Sequence, residues 1–114
     1  MSQPVHHPPA LPPMPDRTPK ALRAAIAEHA PALLDDFDAH WKRAIGDAFD
    51  LGPVPAFLAL WWTEYAVARD PELDRRVSAL EEQAVEARDN ETAMALLEEA
   101  TRLRRRAGMA EPGQ

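Results

Sequence analysis

The twelve prolines of this 114-residue chain limit where its helices can run. Proline has no amide donor and disfavours a helical conformation in the residue before it, so in a helix it is best tolerated at the start. Six prolines fall within residues 1–17, which we therefore expect to be a disordered, proline-rich arm. Five others punctuate the rest of the chain and indicate where successive helices begin: Pro19, Pro31, Pro53, Pro55 and Pro71.

Between these prolines, apolar side chains recur every three or four residues, which is the spacing of one helix face. After the N-cap residue Thr18, Leu22 and Ile26 share such a face in a short first helix. A third helix over residues 55–70 is apolar almost all round, which is typical of a helix covered on several sides. The second helix, over residues 31–50, has the longest regular stripe: Leu34, Phe37, Trp41, Ala44, Ile45, Ala48 and Phe49.

The C-terminal part of the chain has a narrower apolar stripe that is interrupted at Asp89 and Asn90. Because these are turn and cap residues, the pattern predicts two antiparallel helices. No glycine or proline separates the two, so one long bent helix is the alternative. The predicted fold is a compact all-α bundle of about five helices with a C-terminal helical hairpin, spanning residues 18–108 and followed by a frayed tail, 109–114.

Composition excludes several kinds of function. Without cysteine the chain has no disulfide framework, no thiolate nucleophile and no cysteine-based zinc site. It has neither a glycine-rich phosphate loop nor a strand-to-helix nucleophile turn, so we predict no enzyme activity and no cofactor. The start does not resemble a signal peptide, and the longest apolar run is about half a membrane span, which favours a cytoplasmic protein without a membrane segment.

The adjacent indoles of Trp61 and Trp62 pose the clearest question about binding, because neighbouring side chains on a helix point about 100° apart. Trp61 shares a stripe with Phe57 and Tyr65 and is predicted to lie in the core. Trp62, flanked by small alanines, offers a ledge on which another helix, from this chain or from a second one, could pack closely, and we predict it as a partner contact. The net charge of −6 fits a basic protein partner or plain solubility, and a homodimer is also compatible with the pattern. The predicted partner-binding residues are Trp62, Ala59, Ala66, Leu60, Val67 and Arg69.

Two other functions stay open as alternatives. Asp36, His40 and Asp47 are spaced so that they could form a metal site or an acid–base pair of a small metal-dependent enzyme, although an ordinary solvated helix face is the simpler interpretation and we predict no metal. The run Arg102 to Arg106 could bind nucleic-acid phosphates. Acidic residues precede it and no aromatic residues interleave, so nucleic-acid binding is not favoured.

Two segments carry a resemblance to a known family. "TPKALRAAIAEHAPALLDDFDAHWKRAI", followed by "DLGPVPAFLALWWTEYAVARDP", resembles small actinobacterial (Streptomyces-type) proteins classed as a domain of unknown function, over about residues 15–108. The resemblance transfers no catalytic residues. It implies an association with toxin–antitoxin gene pairs and hence an antitoxin-like role towards a basic toxin. The chain has no recognisable ribbon-helix-helix motif or other DNA-binding segment, which argues against an antitoxin that represses its own gene.

Overall fold

The computed structural model describes residues 10–114, and all regular secondary structure within them is helical. This confirms the predicted all-α fold of about five helices. The five α-helices are α1 (Pro19–His29), α2 (Leu34–Trp41), α3 (Val54–Ala68), α4 (Pro71–Glu86) and α5 (Asn90–Gly108). A 3-10 turn, Pro31–Leu33, precedes α2, and a π-helical turn, Lys42–Gly46, follows it.

Three helices begin at side-chain caps, and two of these caps, Thr18 and Asp89, are indicated by the sequence. The Thr18 hydroxyl accepts a hydrogen bond from the Ala21 amide at 3.1 Å, at the start of α1. At the start of α4 the Asp70 carboxylate accepts from the Leu73 amide at 3.2 Å. Asp89 does the same at α5, where the Thr92 amide donates at 2.7 Å. Each cap satisfies an amide that has no partner inside its helix, so these helix starts are set locally.

Helices α4 and α5 pack against each other as a hairpin that turns at residues 87–89. The hairpin prediction is thus confirmed, and the alternative of one long bent helix is wrong. Helix α3 packs against both hairpin helices, more extensively against α5. A small apolar cluster of Val67, Val77 and Ala100 joins the three helices.

The larger core lies between α1, α2 and α3, and most of its volume is aromatic. The rings of Phe37 and Phe57 meet edge to face with centroids 4.9 Å apart, which is a favourable aromatic geometry. Leu22 and Ile26 contribute the buried face of α1, as their spacing predicts. The other large buried side chains of this core are Met14, Ile45, Trp61, Trp62 and Tyr65.

The predicted second helix is wrong in its last turn. Leu34, Phe37, Trp41, Ala44 and Ile45 do lie in or against the core, but Ala48 and Phe49 are exposed to solvent. The π-helical turn adds a residue per turn, which rotates the residues that follow it away from the core. At Phe49 the backbone takes a φ of +51°, which ends the helical path.

The ends of the domain are also corrected. The first nine residues of the predicted arm lie outside the described part of the chain, but residues 10–17 pack on the bundle, with Met14 buried. The Met14 carbonyl accepts a hydrogen bond from the Gly113 amide at 2.8 Å. Prolines lack amide donors but keep their carbonyl acceptors, so a proline-rich segment can still accept hydrogen bonds from the rest of the chain. The tail, which was predicted to fray, is bonded to this segment.

Candidate interaction surface

Trp62 is a core residue, contrary to the prediction that it contacts a partner. Its side chain is 1% exposed. The indole Nε1 donates a hydrogen bond to the Ala110 carbonyl at 3.0 Å, and the Arg17 guanidinium lies 4.7 Å from the ring centroid, a cation–π contact. The space beside this indole is therefore filled by the N-terminal segment and the C-terminal tail of the same chain.

The other five predicted partner-binding residues do not form one surface. Ala66 and Val67 are buried with Trp62, whereas Ala59 and Leu60 are exposed. Arg69 is half-buried, and its Nη1 donates to the Pro12 carbonyl at 2.9 Å. The chain's own ends cover the indole, so Trp62, Ala66 and Val67 are not accessible to a partner. A partner contact through Ala59 and Leu60 stays a prediction.

His40 faces the aromatic core, which contradicts its placement on a solvated polar stripe. Its Nδ1 accepts a hydrogen bond from the Trp61 indole at 2.9 Å, and its ring centroid lies 4.9 Å from that of Phe57. Asp36 and Asp47 are exposed. Within residues 10–114 no group of three His, Cys, Asp or Glu side chains could hold a metal ion. The aspartates near His40 suggest a solvated helix face. Its position three residues after Phe37, however, places it on the same side of α2 as that core residue.

The arginine run at the end of α5 is divided between structural and exposed side chains. Arg104 donates to Glu64 of α3 at 3.1 Å and to Glu81 of α4 at 2.7 Å, and so connects three helices. Burial lowers the pKa of Arg104, but the hydrogen bond to Glu81 and the charges of both carboxylates outweigh it and raise the pKa above its ordinary value. Arg102 pairs with Glu99, while Arg105 and Arg106 remain exposed.

Helix α3 covers only part of one side of the hairpin. Residues 94, 97, 101, 104 and 108 of α5 share a face because they are three or four apart. At its C-terminal end this face meets α3: a Cβ at Gly108 would lie 2.5 Å from the Thr63 hydroxyl, and Arg104 binds Glu64. Farther along the same face, Met94 and Leu97 are exposed.

Val85 of α4 extends this exposed area across the hairpin. It lies four residues after Glu81, and Glu81 accepts from Arg104, so both belong to the side that α3 partly covers. Val85 is 87% exposed, Met94 55% and Leu97 42%. We call these three side chains the open face of the hairpin.

The open face lies in an acidic environment. Residues 82–98, which we call the distal end, contain five carboxylates and one basic residue, Arg88, a net charge of −4. In the described part of the chain none of these five carboxylates takes part in an ion pair. Asp89 caps α5, and the other four are exposed: Glu82, Glu86, Glu91 and Glu98.

The chain is thus a small all-α protein that exposes the apolar side chains of the open face on an acidic helical hairpin. The chain belongs to a Family of unknown function (DUF6247), whose model matches residues 10–107. This confirms the predicted resemblance to a family of unknown function, and the match includes the packed N-terminal segment. No curated protein and no solved structure matches the chain. Among residues 10–114, no helix is both long and apolar enough to cross a membrane.

Proposed function

We propose that this protein is a non-enzymatic, cytoplasmic interaction module that binds a basic protein partner through the open face of its hairpin. The observation that carries the proposal is the coincidence of three exposed apolar side chains, Val85, Met94 and Leu97, with a distal end of net charge −4. Apolar side chains that cluster on one helical face are characteristic of helix-in-groove recognition. Carboxylates around them favour a positively charged partner.

A partner helix on the open face would extend the three-helix packing that α3 makes with the hairpin. Helix α3 packs across one end of the hairpin, and a third helix placed along the open face would continue that packing over the distal end. Full burial of an aliphatic side chain contributes about 1.5–3 kcal/mol relative to leaving it exposed, so the three side chains would supply the main part of the affinity. The unpaired carboxylates would chiefly raise the association rate and set the choice of partner.

Within the class of basic proteins, a toxin is the partner that we propose to test first. The support for this choice is the resemblance of the sequence to actinobacterial proteins associated with toxin–antitoxin gene pairs. The chain would then act like an antitoxin that neutralises its toxin by direct contact.

A titration with a defined probe tests the hairpin surface without knowledge of the natural partner. The probe is a synthetic amphipathic helical peptide with leucines on one face and lysines on the other, added to the full chain in a calorimeter. We expect the triple variant Val85→Ser, Met94→Ser, Leu97→Ser to bind at least about tenfold more weakly, a loss of about 1.4 kcal/mol.

The matched control removes similar apolar area elsewhere, with Leu51→Ser, Leu60→Ser and Met109→Ser at three other exposed positions. It should leave the affinity unchanged. Equal losses in the two triple variants, or no measurable binding by the unsubstituted chain, would show that the open face has no special affinity for a basic amphipathic helix.

A further inference from the structure

The loop between the π-helical turn and α3 presents an aromatic ring to water in a strained backbone. Phe49 is 95% exposed and is the one non-glycine residue with a positive φ within the described residues, at +51°. A bulky side chain rarely adopts this conformation. Asp47 and Asp50 stand on either side of it in the sequence, and both are exposed. The loop thus exposes a phenyl ring and has an exposed aspartate on either side of it in the sequence.

An apolar groove with a lysine on its rim lies between α1 and α2. These properties complement the exposed phenyl ring and the carboxylates of the loop. The volume of the groove is about 520 Å³, which is within the range of pockets that enclose an organic ligand. Its apolar walls include Pro19, Phe37 and Trp41. On the rim, Arg23 donates two hydrogen bonds to Asp38, at 2.8 and 2.7 Å, while Lys20 forms no ion pair with any residue of the described range.

We propose that Phe49 of one copy of this chain inserts into the groove between α1 and α2 of a second copy. The charges match, because the two carboxylates beside Phe49 would approach the unpaired ammonium of Lys20. Each copy has one such loop and one such groove, so a two-fold arrangement satisfies both and closes as a dimer. The proposal is independent of the hairpin surface, which it does not use.

The loop starts beside one wall of the groove in the same chain. A Cβ at Gly46, where the loop begins, would lie 4.0 Å from the indole Cδ1 of Trp41, which lines the groove. In the single chain the Phe49 ring is nearly fully exposed, so it does not occupy the groove of its own chain. Insertion into a second copy removes the ring from water and also covers the apolar walls of the groove.

Sedimentation velocity of the full chain over a range of concentrations tests the dimer. We expect a reversible monomer–dimer equilibrium, and the variant Phe49→Gly should raise the dimer dissociation constant at least about tenfold. Glycine accepts the positive φ without strain, so this variant should fold at least as well as the unsubstituted chain, and its melting temperature checks that. The hairpin variant Leu97→Ser is the control and should dimerise normally.

A charge exchange tests the contact between the two copies. Lys20→Glu alone should weaken the dimer, and adding Asp47→Lys in the same chain should restore it in part. A chain that stays monomeric up to about 1 mM, or a dimer that Phe49→Gly leaves intact, would overturn the proposal. Either result would leave the proposed hairpin function untouched, since a titration of the open face does not require dimerisation.

Discussion

Trp62 depends on side chains and carbonyls that are far from it in the sequence. Arg17 covers one side of the ring, and Ala110 accepts its indole N–H. We therefore expect Trp62→Ala to lower the free energy of unfolding by about 3–5 kcal/mol, the usual cost of removing a buried aromatic side chain. Thermal or urea denaturation measures the change.

Leu60→Ala, at an exposed position of the same helix, is the matched control and should cost much less, within about 1 kcal/mol. Similar losses of stability in the two variants would mean that Trp62 is not an important part of the core.

Gly108 permits close contact between α5 and α3. A Cβ at this position would lie 2.5 Å from the Thr63 hydroxyl oxygen, so Gly108→Ala requires the helices or the threonine to move. We expect a destabilisation of about 1–3 kcal/mol, in spite of the higher helix propensity of alanine. Denaturation of the double variant with Thr63→Ala measures the coupling. The second substitution should recover much of the loss, and additive losses would contradict a direct clash.

Individual core positions were predictable where the helix period alone decides burial. Leu22, Ile26, Phe37 and Trp61 all lie where three- and four-residue spacing places them. Trp62 was not predictable in this way. Its cover comes from residues about 45 positions earlier and later in the chain, and no local pattern indicates that a proline-rich segment and a short tail will meet over one ring.

Helix α5 begins at a cap whose stability depends on pH. Hydrogen bonds donated by the Thr92 amide and hydroxyl lower the pKa of Asp89 below its ordinary value. The folded state therefore gains stability that is fully present above pH about 4, the pKa of an unfolded aspartate, and is lost as the pH falls through the lower folded pKa.

The variant Asp89→Asn tests this dependence because asparagine is also a good N-cap but does not titrate. We expect its stability to fall less steeply than that of the unsubstituted chain as the pH decreases below about 4, as followed by thermal melts. Asp36→Asn, on an exposed part of α2, controls for the loss of a carboxylate. If both variants show the same pH dependence, the cap is not the cause.

Helix starts were more predictable than helix ends in this chain. Thr18 and Asp89 begin helices by short-range hydrogen bonds and are recognisable as caps in the sequence. Asp70 caps α4 in the same way, although the start of that helix is predicted from Pro71 alone. The end of the second helical segment depends instead on the π-helical turn Lys42–Gly46. That turn changes the angle between successive side chains. A constant step of 100° per residue therefore places Phe49 on the buried face, whereas the structure exposes it.

Charge and apolar surface are unevenly distributed over the whole molecule. The distal end, residues 82–98, has a net charge of −4 out of −6 for the chain, and it also contains the open face. The sequence predicts an acidic protein with excess apolar surface, but it places that surface on α3. In the structure the two ends of the chain cover Trp62 of α3, whereas Val85, Met94 and Leu97 of the hairpin are exposed.

Site-specific photo-crosslinking in the source cell tests most directly whether the open face binds a basic protein. A photoreactive phenylalanine is placed at Met94 on the open face or, as a control, at the exposed Met109. We predict that position 94 crosslinks to one protein of net positive charge, that Leu97→Glu abolishes this product, and that position 109 does not form it. Equal crosslinking from both positions, or a product that Leu97→Glu leaves unchanged, would contradict the account.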